Sequence, residues 1–253
     1  MNVSIESGVL RVKARVSTVP TESARLERRL LPSLSTIAGL VDVIGLLSLG
    51  LFTAHVTGNL VTTAVVLVRG GSPSAAQALA VPVFAAEVAI IWLIAKALGR
   101  RGPALAQTLL LIQFLLLMCV LVLSVIFDPA ANPHGSLAVL VAMIAVAAMA
   151  CQFVLVRLAL PGAPSTAMMT GNLTNAVLWL LDTLSPGQPL TEGAEERLRK
   201  TLKVVVGFLI GCIVGAVAVS FLKAWAWLLP VLLAAVIVPW SELLNSARAR
   251  LVH

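Results

Sequence analysis

The residues Thr57, Gly58, Asn59 and Leu60 recur as Thr170, Gly171, Asn172 and Leu173, each time inside a strongly apolar stretch: "HVTGNLVTTAV" and "MMTGNLTNAV". Glycine permits a turn and a close backbone approach. Thr57, Asn59, Thr170 and Asn172 are side chains that cap the first free N–H groups of a helix. A helix start carries about half a positive charge, so a pair of them, entering lipid from opposite faces, would offer donors to an anionic or polar solute. Two carboxylates lie deep within other apolar runs: Asp42 in "AGLVDVIGLL" and Glu87 in "VFAAEVAIIW". A carboxylate near the centre of a bilayer costs about 3 kcal/mol unless it is paired, protonated or wetted. Asp42, Glu87 and the adjoining His55 therefore join the two motifs as candidate solute-binding or proton-handling residues.

The elements that must position these groups are helices in lipid. Of 253 residues, 59% are hydrophobic and 11% charged, against about 25% charged in a soluble domain, and the mean hydropathy is +1.02. Apolar runs fall at residues 34–51, 57–68, 79–98, 104–127, 136–157, 168–181, 203–222 and 225–240, bounded by Gly, Pro and charged residues. The second and sixth are short for a crossing, which needs about 20 residues, and each begins at a Thr-Gly-Asn. Aligning Thr57 with Thr170 places four segments in each half in the same order, so the chain reads as a duplication. The expected layout is a cytoplasmic basic tail at 1–33, a membrane domain at 34–240 with repeats at 34–127 and 136–240, and a tail at 241–253.

Charge separates two topologies. With all eight segments spanning and parallel repeats, 13 of the 18 Lys and Arg residues fall inside; with six spanning helices and two short non-crossing ones, 16 do. The second arrangement obeys the positive-inside rule better, with the N-terminus cytoplasmic. Three crossings per half make the halves inverted. The expected fold is thus an all-α polytopic membrane protein, with eight spans and parallel repeats as the alternative.

The net charge of +7 is accounted for by residues between and outside the apolar runs, so no nucleic-acid role is inferred. Cys119, Cys151 and Cys212 are widely spaced and read as small buried hydrophobes. No metalloprotease, nucleophile-elbow or phosphate-loop pattern is present, so neither an enzyme activity nor a cofactor or metal is expected. Gln113, Gln152 and Asn175 read as interhelical hydrogen-bonding residues. In "EERLRKTLK", Glu195 with Arg199 and Glu196 with Lys200 stand four apart, the spacing of helical ion pairs.

The stretch from Ala38 to Asn59, "AGLVDVIGLLSLGLFTAHVTGN", and the later "MACQFVLVRL" and "STAMMTGNLTN" resemble the YoaK-type family of bacterial inner-membrane proteins. The resemblance covers roughly Ser33 to Trp240 and carries to Asp42, Thr57, Gly58, Asn59, Thr170 and Gly171. It departs at Phe153, which follows Gln152 where the family usually has Asn. The resemblance implies a multi-pass protein of the bacterial inner membrane and supplies no substrate or activity. The functional expectation is a transporter of a small polar or anionic solute, in which Asp42, together with Glu87, couples to protons or binds a cation; a channel and a binding or structural membrane module are the alternatives. The bilayer is the expected partner, alongside the unidentified solute and a second copy of the chain.

Overall fold

Apolar length decides which helices can hide in lipid, and helix-forming polar residues decide how far those helices continue beyond it. The computed structural model describes residues 22–97, 99, 102–160, 162–184 and 194–249. Among them are eight α-helices and no strand: α1 (Glu22–Leu49), α2 (Gly58–Val68), α3 (Ala75–Ala97), α4 (Gly102–Phe127), α5 (Ser136–Ala159), α6 (Met169–Leu184), α7 (Ala194–Leu222) and α8 (Leu228–Ala249). Each apolar run expected from the sequence has its own α-helix, but the run at 34–51 outlasts α1 by two residues and the run at 225–240 begins in a 3-10 turn, with α8 starting at Leu228. The polar flanks differ: α1 begins at Glu22, α7 at Ala194, and α8 runs to Ala249. Hydropathy marks the part of a helix that sits in lipid, whereas the Glu, Arg, Lys and Leu of "ESARLERRLL" and "AEERLRKTLK" prolong the same helix outside it. Of the expected tails, 1–21 and 250–253 lie outside the described residues.

Five stretches of the described chain are long and apolar enough to cross a membrane: Arg29–Leu49, Ala75–Ala97, Ala104–Phe127, Ser136–Ala159 and Glu195–Pro239. The last covers 45 residues. It is broken by a 3-10 turn at Lys223–Trp227, where Lys223 takes a left-handed backbone with φ 49°. The side chain of Trp227 is wholly buried there.

The centre of the bundle is α1, packed chiefly on α7 and also on α8 and α5. Glycine makes the first of these contacts possible. Gly207, Gly211 and Gly215 fall four apart on α7, and a Cβ at Gly211 would stand only 2.3 Å from the Thr36 carbonyl oxygen. On the facing helix, a Cβ at Gly39 would meet the Phe208 carbonyl oxygen at 2.3 Å. Such small-residue stripes let backbones touch and replace the hydrophobic drive that lipid removes. Gly207 faces Pro32, Gly211 faces Thr36 and Gly215 faces Leu40; the register ascends together, so α1 and α7 are parallel. Elsewhere α3 and α4 pack on α5, α4 packs on α8, α2 leans on α3, and α6 leans on α7. The α5 and α1 stretches are the most buried, at 72% and 67%, and the α3 stretch the least, at 17%. Among the cysteines only Cys151 is buried; Cys212 is half-buried and Cys119 exposed, so the expectation of three buried thiols holds for one.

Candidate functional site

Each Thr-Gly-Asn segment follows a loop that doubles back along the helix before it. In the first half, α1 ends at Leu49, Gly50 turns the chain with φ 74°, and residues 51–56 return toward the interior. A Cβ at Gly45 would meet the Thr53 methyl at 2.8 Å, so this glycine gives the returning loop its room. The loop is caught by Asp42, seven residues before the end of α1 and therefore about 10 Å below it at 1.5 Å per residue.

One carboxylate oxygen of Asp42 accepts hydrogen bonds from the backbone N–H groups of Thr53 at 2.8 Å, Ala54 at 2.8 Å and His55 at 3.3 Å. The other oxygen stands 2.5 Å from His55 Nδ1. Asp42 is 4% exposed overall, whereas the His55 side chain is 37% exposed and packs edge-on against Phe208 of α7, with ring centroids 5.3 Å apart. The hydrogen bond that His55 donates to the Asp42 carboxylate raises the His55 pKa above its ordinary 6.5, against the opposing effect of partial burial. Asp42 and His55 thus form one acid–base unit at the tip of a returning loop.

In the second half α5 ends at Ala159, and the loop after it returns to Gln152, again seven residues before the helix end. Gln152 Nε2 donates to Thr166 Oγ1 and to the Leu34 carbonyl, both at 2.9 Å, and its oxygen accepts from Gln113 Nε2 at 2.7 Å. Ser35 Oγ lies 3.0 Å from the Thr166 carbonyl and 2.7 Å from the Val204 carbonyl. Ser35, Gln113, Gln152 and Thr166 are all buried, and Gln113 Oε1 has no hydrogen-bond partner among the described residues. Interhelical bonding, expected of Gln113 and Gln152, is what they do; Asn175 instead is exposed.

The two asparagines act alike and not as helix caps. Asn59 reaches back seven residues, accepting from the Phe52 N–H at 2.9 Å and donating to the Phe52 carbonyl at 2.7 Å. Asn172 also reaches back seven, donating to the Ser165 carbonyl at 2.6 Å. Thr57 stands at the N-cap of α2 but makes no capping side-chain bond, which corrects the expectation from its residue type. The reason is local: the amides of Gly58, Asn59 and Leu60 are already bonded to the carbonyls of His55, Val56 and Thr57. Thr57, Thr170 and Gly171 are exposed, and Gly58 lies against the Phe52 ring. Glu87 is half-buried on α3 and is joined to neither loop by a hydrogen bond among the described residues. Asp42, His55 and Asn59 are therefore gathered around one loop, Asn172 holds the other, and Glu87 stands apart. Among the described residues no group of three or more His, Cys, Asp or Glu side chains is placed to hold a metal ion.

Two features escaped the sequence reading. The Gly207, Gly211, Gly215 spacing was visible as a small-xxx-small pattern. The seven-residue reach of each Asn, by contrast, follows no standard capping rule.

An all-helical membrane protein with paired returning loops is the class these features define. The chain belongs to the family described as "Protein of unknown function (DUF1275)", whose model matches residues 30–239. No curated protein and no solved structure matches it.

Proposed function

We propose that the protein is a membrane transporter for a small polar or anionic solute, built from two inverted halves, in which the Asp42–His55 pair carries the coupling proton. Three hydrogen bonds support the topology. Gln77 Nε2, in the first turn of α3, donates to the Gly50 carbonyl at 2.8 Å, so α3 starts where α1 ends and α2 does not cross. Ser35, six residues into the apolar stretch of α1 that begins at Arg29, meets Thr166 and Val204; the loop after α5 and α7 near Val204 therefore lie toward that opposite end of the stretch. Counting α7 and α8 as separate crossings gives six, with the short helices entering from opposite faces. Their loops approach to within the seven residues of α1 between Ser35 and Asp42, about 10 Å. Packing is matched between the halves: α1 on α7 as α5 on α3, α8 on α1 as α4 on α5, and α6 on α7 as α2 on α3. This is the layout of transporters whose site lies between inverted repeats.

The observation that carries the function is the Asp42–His55 contact. A buried carboxylate paired with a partly exposed imidazole can take up and release a proton. One observation favours a different reading, a binding or structural module: the first amides of α2 are bonded within their own turn, so that helix start presents no free donors to an anion.

Reconstitution into liposomes with a trapped pH dye, challenged with a panel of small organic anions, separates the readings. Saturable, proton-linked uptake that loses its pH dependence in Asp42→Asn and His55→Gln, with both variants still in the membrane, is the expected result. Wild-type-like uptake in both variants removes the pair from the mechanism. Unsaturable flux identifies a channel, and no flux with one copurifying membrane partner identifies a module. For topology, single cysteines at Ser72 and Gly102 in a background lacking native cysteines are expected to label from outside and from the cytoplasm, respectively; the reverse pattern indicates eight crossings.

A further inference from the structure

Away from Asp42, a cavity of about 800 Å³ opens between α3, α5 and the loop before α6. Its wall includes Phe84, Val88, Trp92, Phe153 and Met168, and its one charged lining residue is Arg157. Phe84 of α3 and Phe153 of α5 both line it and meet edge to face, with ring centroids 5.4 Å apart. Arg157 is exposed and has no hydrogen bond or ion pair among the described residues. Lys96, one turn beyond Trp92 on α3, holds its ammonium 5.1 Å above the Trp92 ring. Arg157 thus lines the apolar hollow, Lys96 stands over the Trp92 ring of its wall, and no carboxylate lines it among the described residues.

We infer that this hollow binds an anionic phospholipid, its acyl chain against Phe84 and Phe153 and its phosphate at Arg157 and Lys96. Two observations choose a lipid over a soluble anion. The outer side of α3 beside the hollow is apolar and exposed at Ile90, Trp92, Leu93 and Ile94, so the hollow opens onto the bilayer. Arg157 and Lys96 lie in the last turns of α5 and α3, where long basic side chains reach headgroup level, and guanidinium matches phosphate in charge and geometry. Ser165 and Thr166 of the second returning loop form part of the same wall, so the lipid would rest against the segment that Gln152 holds. The inference does not depend on transport.

The test is native mass spectrometry of the full-length protein released from nanodiscs containing phosphatidylglycerol and phosphatidylcholine in equal amounts. Wild type is expected to retain phosphatidylglycerol at least fivefold over phosphatidylcholine; Arg157→Gln with Lys96→Gln is expected to abolish the preference, and Arg157→Lys to keep part of it. Ala163→Phe, which fills the hollow and leaves both charges, is expected to reduce retention of either lipid. Equal retention of the two lipids by wild type, or an unchanged preference in the double variant, overturns the inference. Thermal stabilisation by glycerol 3-phosphate alone, equal to that by phosphatidylglycerol, also overturns it in favour of a free phosphate. A double variant that does not purify is replaced by Ala163→Phe, whose unchanged retention counts against the site.

Discussion

The two returning loops do one mechanical job with different chemistry. The first is held by a carboxylate, which only accepts, and so gathers three backbone N–H groups around Asp42. The second is held by an amide, which donates from Gln152 to Thr166 and Leu34 and accepts from Gln113. Both anchors sit seven residues before a helix end, and both loops are then tied by an asparagine seven residues on. A neutral side chain is evidently sufficient to pin such a loop in lipid. The charge at Asp42 exceeds what anchoring needs, and it is the charged half that also carries the histidine.

The largest way to break this comparison is Asp42→Ala. It leaves the N–H groups of Thr53, Ala54 and His55 facing a buried, apolar space, and the expected loss is about 3 kcal/mol, read as a lowered melting temperature in detergent. A smaller loss from Asp42→Ala than from Gln152→Ala would reverse the ranking of the two anchors. Next, Asn59→Ala removes two bonds and Asn172→Ala one to backbone, so costs of about 2 and about 1 kcal/mol are expected; equal losses would show that the second loop depends on contacts other than its asparagine.

Glycine gives a finer contrast. A Cβ at Gly171 meets nothing within 4 Å, whereas at Gly58 it would press on the Phe52 ring at 3.1 Å. Gly171→Ala is expected to stabilise by up to about 1 kcal/mol through helix propensity, and Gly58→Ala to gain less or to destabilise. The reverse order in paired melts would mean that the first loop is the looser one. The smallest effect is the pH response. Because the folded-state pKa of His55 is raised above 6.5, its contribution is complete below pH 6.5 and is lost as pH rises through the folded value. Melting temperature should fall across that window in wild type and flatten in His55→Gln; an unaltered slope would detach His55 from Asp42.

The sequence made the helices legible because lipid demands long apolar runs, and breakers such as Gly70, Gly99 and Gly135 bound them plainly. It also exposed the motifs, Asp42, and the ion pairs of α7, which form at 2.9 Å for Arg199 with Glu195 and 3.7 Å for Lys200 with Glu196. It did not reveal what Asp42 grips, since three backbone amides of a loop leave no mark in side-chain identity. Nor did it show that Thr57 would go without a capping bond. That depended on the chain entering α2 through a tight turn whose own carbonyls reach the amides first.

The glycine-lined seam between α1 and α7 bears on how the molecule is made. α1 emerges from the ribosome before the helix that covers it closely, α7, which follows it only after five intervening helices. Until then the surface around Gly39 is bare and the parallel alignment has nothing to fix it. The two halves therefore cannot mature one after the other, and a nascent chain halted at Leu184 would offer an unfinished α1 to whatever quality-control protease surveys the membrane.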